Sequence, residues 1–265
     1  MPILDKNDIK LYYETDIVSN PIGNVIVVHG LCEHLSRYDY FTKKLNENGY
    51  NVFRLDLPGH GRTPGKKGDI KSFMQFVEAI KLIIDMAKDL YPKLNLYLFG
   101  HSMGGFSINA FLATYPGYVT KAISCGAPGI ILKMVKPLKY VPYQLIGFIN
   151  YSCNLANLTS HSKIEIEKYK SDALVLKKTK IHLLGNVFIK GIKYLQKNIS
   201  NITDPILYIH GEDDKIVEVE SSKWLYENIS SKDKKLIIYE GMYHELLSEE
   251  IKDTVIKDII NFIKE

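Results

Sequence analysis

The sequence predicts an α/β domain built on a doubly wound, mostly parallel sheet that is interrupted by a helical insertion. Three observations carry that prediction: short apolar runs that end at Gly or Pro, amphipathic segments between them, and one stretch of about seventy-five residues in which the alternation lapses.

The apolar runs come first. Val25 to Val28 leads into His29 and Gly30, Val52 to Leu55 follows Gly49, and Leu94 to Phe99 ends at Gly100. Runs that are apolar on both faces suit central strands of a parallel sheet, because helices cover such a sheet on both sides. Ala122 to Cys125, Ile206 to His210 and Leu236 to Tyr239 continue the series. Between the second and third runs, Ser72 to Leu90 places Phe73, Phe76, Val77, Ile80, Ile83, Ile84 and Ala87 at helical spacing, with Ser72 and Gln75 spaced as a capping box. Helical patterns over Ser221 to Asn228 and Glu249 to Ile263 close the chain.

The alternation stops near Pro128 and resumes at Thr203-Asp204-Pro205, a gap far too long for a crossover loop. Residues 1–128 and 204–265 therefore read as one core, and 129–203 as a helical cap over one end of the sheet. The cap holds an apolar stretch punctuated by Lys (Ile130 to Tyr143), a polar stretch (Thr159 to Asp172) and a helical pattern (Leu183 to Leu195).

Composition removes several function classes. With 46% hydrophobic and 24% charged residues the chain is an ordinary globular one. The net charge of +4 is spread out, and Arg occurs only at Arg37, Arg54 and Arg62, which leaves little material for reading nucleic acid. Cys32, Cys125 and Cys153 are odd in number and lack CxxC spacing, which argues against a disulfide framework and a structural zinc site. The histidines show no HExxH or clustered spacing, so no metal is expected. Gly59 to Gly68 only superficially resembles a phosphate loop, since Lys67 stands where Ser or Thr is needed. No run reaches the ~18 apolar residues of a membrane span, and the opening MPILDKNDIK lacks the apolar core of a signal peptide. A cytoplasmic location is the expectation.

The chemistry begins at Gly100-His101-Ser102-Met103-Gly104, a G-x-S-x-G between the run Leu94 to Phe99 and the helical run Ser107 to Tyr115. Small residues on either side of the serine permit a sharp strand-to-helix turn. That turn lifts Ser102 Oγ above the sheet, beside a helix N-terminus that favours developing negative charge. A serine hydroxyl is a weak nucleophile without a base and a group to orient that base. In elbow-type sites the chain order is serine, acid, histidine. Gly211-Glu212-Asp213-Asp214 follows a strand and offers Asp214 as the acid, with Asp213 as runner-up. Glu240-Gly241-Met242-Tyr243-His244 follows the last strand and offers His244 as the base. The N–H groups of Leu31 and Met103 are the expected donors to an oxyanion. Asp56 and His60 are expected to order loops rather than to react.

HGLCEHLSRY from His29, DLPGHGRT from Asp56, GHSMGG from Gly100, KSDAL in the cap, GEDDKIV and YEGMYH together resemble the monoacylglycerol lipase and lysophospholipase branch of the α/β-hydrolases. The match spans nearly the whole chain in order, and HGxxEHxxRY and YEGxYH are peculiar to that branch. The resemblance implies an α/β-hydrolase fold with a helical cap and a serine esterase that needs no cofactor and acts on monoacylglycerols or related lipids. It carries over Ser102, Asp214 and His244 as a triad and Leu31 and Met103 as oxyanion donors. It also implies that Glu33 and Arg37 pair to order the oxyanion loop, and that Tyr169 lies near the alcohol end of the pocket. Cys32 stands where family members commonly have Gly. Leu247 replaces a second His found three residues after the catalytic one in the mammalian lipase.

The expected partner is thus a small lipid ester, not nucleic acid. Lysophospholipids, short esters, peptide N-termini and a non-catalytic ligand-binding role remain as rivals. The stretch Ile130 to Tyr143 fits either a cap over the pocket or a transient contact with a membrane surface. The motifs carry no information on oligomeric state.

Overall fold

The computed structural model describes residues 3–6 and 9–265. Residues 1, 2, 7 and 8, which the sequence reading assigns to the first core segment, lie outside the described residues. In chain order the first core segment forms β1 (Ile3–Lys6), β2 (Ile9–Asp16), β3 (Gly23–Val28), α1 (Asp39–Glu47), β4 (Tyr50–Leu55), α2 (Met74–Leu90), β5 (Leu96–His101), α3 (Met103–Thr114) and β6 (Lys121–Cys125). Residues 129–203 contain 3-10 turns, β7 (Asn150–Ser152), α4 (Lys163–Ser171), β8 (Lys178–Lys180), α5 (Ile181–Gly185), a π-helical turn and α6 (Ile192–Asn198). The chain closes with β9 (Ile206–Gly211), α7 (Glu220–Asn228), β10 (Lys234–Tyr239) and α8 (Lys252–Lys264).

Eight of these strands form one sheet in the order β1-β2-β4-β3-β5-β6-β9-β10. The β1–β2 and β2–β4 pairs are antiparallel and all others are parallel. Strand alternation divides the core between two faces. Ile26, Val28, Leu98, Ala122 and Tyr208 pack with α2 and α3, whereas Val25, Val27, Phe99, Ile123 and Ile209 pack with α1 and α8. From β3 the chain steps to β4 on one side, and β5 then lies on β3's other flank. The crevice beyond the carboxyl ends of β3 and β5 is therefore a topological switch point, the place where such sheets hold ligands.

Several elements differ from the sequence reading. β5 starts at Leu96 and runs through Gly100 and His101, because its ladder with β6 extends to the pair His101–Cys125. α3 begins at Met103 rather than Ser107; Gly104 and Gly105 hide the helical periodicity because they have no side chain to show it. At the start of α2, Gln75 Oε1 accepts the Lys71 and Ser72 N–H groups, but Ser72 Oγ accepts from Met74 rather than from Gln75. The stretch Ile130 to Tyr143 forms 3-10 turns over Lys133–Lys139 instead of a regular helix, since Pro137 and Pro142 remove backbone donors there. The cap segment also contains a two-stranded ribbon, β7 with β8.

The glycines of the elbow set how closely α3 can approach the sheet. A Cβ at Gly104 would lie 2.3 Å from the Val28 carbonyl oxygen and 2.6 Å from that of His29. Both obstacles are backbone atoms of a central strand, so neither can yield. Gly104→Ala is expected to destabilise the protein by about 2–3 kcal/mol or to prevent folding, measured as a urea midpoint. Gly117→Ala, whose added Cβ would meet nothing within 4 Å, should cost only about 1 kcal/mol for its left-handed backbone.

Candidate functional site

Ser102 sits between β5 and α3 with φ 54° and ψ −119°, a backbone conformation that L-residues adopt only under constraint. Its N–H donates to the Cys125 carbonyl and its carbonyl accepts from Phe106 N–H, which fixes the turn at both ends. Met103 opens α3, so its N–H belongs to the first helical turn, where no partner exists within the helix. Leu31 follows β3 across the crevice, and its N–H has no acceptor among the described residues. The two expected oxyanion donors thus flank Ser102.

Asp214 lies on the loop after β9. Its Oδ1 accepts the N–H groups of Ile216 (2.8 Å) and Val217 (2.9 Å), and its Oδ2 lies 2.6 Å from His244 Nδ1. Burial alone would raise its pKa, but His244, followed by the hydrogen bond from His210, overrides that and holds the carboxyl well below the usual carboxylate range. Asp213 is exposed. His244 packs its ring against His101, 4.8 Å between centroids, and lines the same cavity as Ser102. No hydrogen bond joins Ser102 Oγ to His244 among the described residues; such contacts are often long before substrate binds.

Behind the serine lies a buried polar cluster. Glu33 Oε2 accepts from Gly30 N–H (2.7 Å) and Tyr38 Oη–H (2.8 Å), and its Oε1 accepts from Arg37 Nε at 3.2 Å. Arg37 Nη2 donates to Glu245 at 2.6 Å, and its guanidinium stacks 4.6 Å from the centroid of Tyr169 on α4. His101 Nε2 meets the His244 carbonyl at 3.2 Å, while its Nδ1 faces Glu33 Oε2 and Tyr38 Oη. Burial opposes charge on both Glu33 and His101. Their mutual contact prevails, lowering the Glu33 pKa well below its ordinary value and raising that of His101. The implied Glu33–Arg37 pair is therefore present, and Tyr169 covers it from the cap side.

A cavity opens over Ser102. Glu33, His101, His244, Glu245, Thr159 and Tyr169 line one part, and Leu132, Met134, Val135, Leu155, Leu184, Phe188, Ile216 and Val217 line the rest. The two departures from the family pattern have physical readings. Cys32 is buried at φ 66°, a left-handed conformation that glycine adopts without strain. Leu247 lines a small recess together with Arg37 and Glu245. Asp56 orders loops as expected, accepting from Leu35 N–H and Arg62 N–H, and His60 is fully buried beside His29.

Sequence reasoning missed Glu245, His101 and His210. The first two immediately neighbour His244 and Ser102, so adjacency to the expected reacting residues was the available signal. His210 carried none beyond its position at the end of an apolar run.

A family model described as serine aminopeptidase, S33, matches residues 19–251. A monoacylglycerol lipase from Mycolicibacterium smegmatis is 28% identical over 92% of this chain and 89% of its own length. The phospholipase YtpA of Bacillus subtilis is 25% identical, covering 89% of this chain and 93% of its own. The crystal structure of a Paleococcus ferrophilus monoacylglycerol lipase superposes with a TM-score of 0.85 at 27% identity, over 96% of this chain and 98% of that one.

The buried cluster has a consequence for stability. Glu33 and Asp214 have depressed pKa values, so their contribution is present above the ordinary carboxyl range and is lost as pH falls through their folded values. His101 has a raised pKa, so its contribution is full below its ordinary 6.5 and is lost as pH rises through the folded value. The urea midpoint should therefore be highest at about pH 5–6.5 and decline on both sides. Glu33→Gln should lower the maximum and flatten both limbs, because it removes the partner of His101 as well as a carboxylate.

Proposed function

The chain belongs to the serine aminopeptidase S33 family of α/β-hydrolases, and from that premise we propose that it is a carboxylic-ester hydrolase acting on monoacylglycerols or similar single-chain lipid esters. One observation carries the substrate class. The cavity over Ser102 has an apolar wall from the cap segment and a polar end built from Glu33, Glu245 and Tyr169.

In this reading Ser102 Oγ attacks the ester carbonyl while His244 takes its proton. The Leu31 and Met103 N–H groups receive the oxyanion, and His244 returns the proton to the leaving alcohol. Asp214 holds the imidazole tautomer and stabilises its cation. Water then repeats the sequence on the acyl-enzyme. The apolar wall suits an acyl chain, and the polar end suits an uncharged alcohol. Arg37 Nε and Nη2 are already committed to Glu33 and Glu245, and the two buried carboxyl groups at this end disfavour an anionic head group. This favours a glycerol ester over a lysophospholipid. Glu33, committed to Arg37 and His101, is likewise not free to bind a peptide amine.

The test is kcat/KM across monoacylglycerols of rising chain length, the matching lysophosphatidylcholines and short p-nitrophenyl esters. Monoacylglycerols should lead the lysolipids by about tenfold or more, about 1.4 kcal/mol of differential transition-state binding. Ser102→Ala should abolish turnover and labelling by a fluorophosphonate. A flat response beyond about four carbons would move the assignment to a short-chain esterase. Absence of labelling in folded protein would remove the enzyme reading altogether.

We also propose that residues 129–203 act as the cap and bring its outer surface to lipid. Tyr140, Leu145, Phe148 and Ile164 are 70–75% exposed, an unusual concentration of large apolar side chains on one segment, with Lys133, Lys136 and Lys139 close by in sequence. Leu145→Ser with Phe148→Ser should reduce co-sedimentation with anionic vesicles severalfold while leaving hydrolysis of a water-soluble ester unchanged. No helix among the described residues is long and apolar enough to cross a membrane. Three buried free cysteines support placing the protein in the reducing cytoplasm.

A further inference from the structure

Asp214 is held by more than the base it faces. His210, at the end of β9 and fully buried, places Nε2 at 3.0 Å from Asp214 Oδ2 and 2.9 Å from the Val217 carbonyl oxygen. Both neighbours are acceptors, a carboxylate and a carbonyl, so Nε2 carries the proton. Its other nitrogen, Nδ1, lies 2.7 Å from Ser222 Oγ on α7, whose hydroxyl can donate to it. The ring is thus held at both nitrogens, by Asp214 and Val217 on one side and by Ser222 on the other. His210 and His244 therefore approach the same oxygen, Oδ2, while Oδ1 is occupied by two backbone N–H groups.

We propose that His210, held at its other ring nitrogen by Ser222, is a positioning residue that fixes the Asp214 carboxylate and takes a share of Oδ2 away from His244. This rests on the reading of Asp214 as the triad acid. The arrangement follows from chain geometry: β9 delivers His210, the turn after it returns Asp214 to the same place four residues later, and α7 supplies Ser222 from the next element. Removing the His210 N–H has two separable effects. The carboxylate loses one support for its rotamer, so the serine is activated less often. The full charge of Oδ2 then faces His244, making the base more basic and moving the acid limb of the pH profile upward. The other titratable groups around His244 are His101 and Cys125 at the ends of β5 and β6, Glu245 beside it, and Glu33 and Arg37 behind His101. None of them hydrogen-bonds to His210 among the described residues, so a change at 210 reaches His244 through Asp214.

The experiment compares His210→Leu, His210→Gln, Ser222→Ala and Asp214→Asn by kcat and KM, by the pH profile of kcat/KM and by the rate of fluorophosphonate labelling. His210→Leu should lower kcat about tenfold with KM unchanged, raise the acid-limb pKa and slow labelling in parallel. His210→Gln, whose amide can still donate to Oδ2, should recover most of the loss. Ser222→Ala should show the same signature at about threefold. A folded His210→Leu with wild-type kcat and acid limb would overturn the proposal. So would a Gln variant no better than Leu, since His210 would then only fill space. If His210→Leu does not fold, a Ser222→Ala variant with wild-type kcat and acid limb overturns it equally. Asp214→Asn separates the two levels: an inactive Asn variant beside unaffected His210 variants sinks only this inference, whereas an active one removes the acid assignment and this inference together.

Discussion

The structure depends on one buried carboxylate. Glu33 receives Gly30 N–H, Tyr38 Oη–H, Arg37 Nε and His101 Nδ1, which come from the loop after β3, from the turn that follows it and from the serine elbow. Through His101 it reaches the His244 carbonyl, and through Arg37 it reaches Glu245 and the cap residue Tyr169. The loop after β3, the serine elbow, the His244 loop and Tyr169 are therefore tied to the same charge. An isolated carboxylate in this position would cost several kcal/mol of desolvation, and it is tolerated only because donors surround it. Glu33 and Glu245 share Arg37, and Glu33 also faces His101, so removing any one member leaves another without its partner. The cluster is better understood as specifying one arrangement of loops than as a net source of stability.

Much of this was legible in the sequence because it is written in local patterns. Central strands such as β3 and β9 are buried at every position and carry runs of apolar residues, and α2 repeats its apolar residues at helical spacing, so each announces itself within a short window. The elbow is likewise local, since Gly100, Ser102 and Gly104 must lie within one turn. What stayed hidden is non-local. β1 and β2 pair at the exposed edge of the sheet and carry a mixture of burial rather than an apolar run. The prolines at 137 and 142 break the helix that the apolar residues suggest. Glu245 becomes meaningful only when Arg37 arrives from 208 residues away, and His210 only when α7 brings Ser222 beside it. Composition could not distinguish these from ordinary polar residues.

Strain is concentrated where the proposed chemistry is. Among the described residues only Cys32 and Ser102 are non-glycine residues at positive φ, and they stand on the two sides of the oxyanion crevice. Such conformations persist only where the surroundings over-determine them. At Ser102 the constraint is the close approach of α3 to β3, which Gly104 permits, together with the hydrogen bond to Cys125. At Cys32 it is a hydrogen bond from Leu176 N–H to the Cys32 carbonyl, so the cap segment itself holds the oxyanion loop in place. If residues 129–203 and the Leu31 and Met103 N–H groups act as proposed, a motion of that segment would shift the Leu31 side of the oxyanion site through the backbone, without any side chain having to relay the change.

That linkage bears on how a lipid esterase of this kind separates its two tasks. Most of the apolar lining over Ser102 comes from residues 132–188, none of which is a proposed reacting group. The polar end is different, because Glu33, His101 and Glu245 belong to the cluster that positions the oxyanion loop and the His244 loop. A substitution that enlarges the alcohol site would disturb the proposed reacting groups, whereas one that lengthens the acyl site need not. Under the proposed function, acyl-chain preference is thus the property this architecture leaves free to vary, and alcohol preference is the one it couples to catalysis. On that reading an uncharged alcohol is favoured over an anionic head group, since any new positive charge placed there for a phosphate would compete with Arg37 for Glu33 and Glu245.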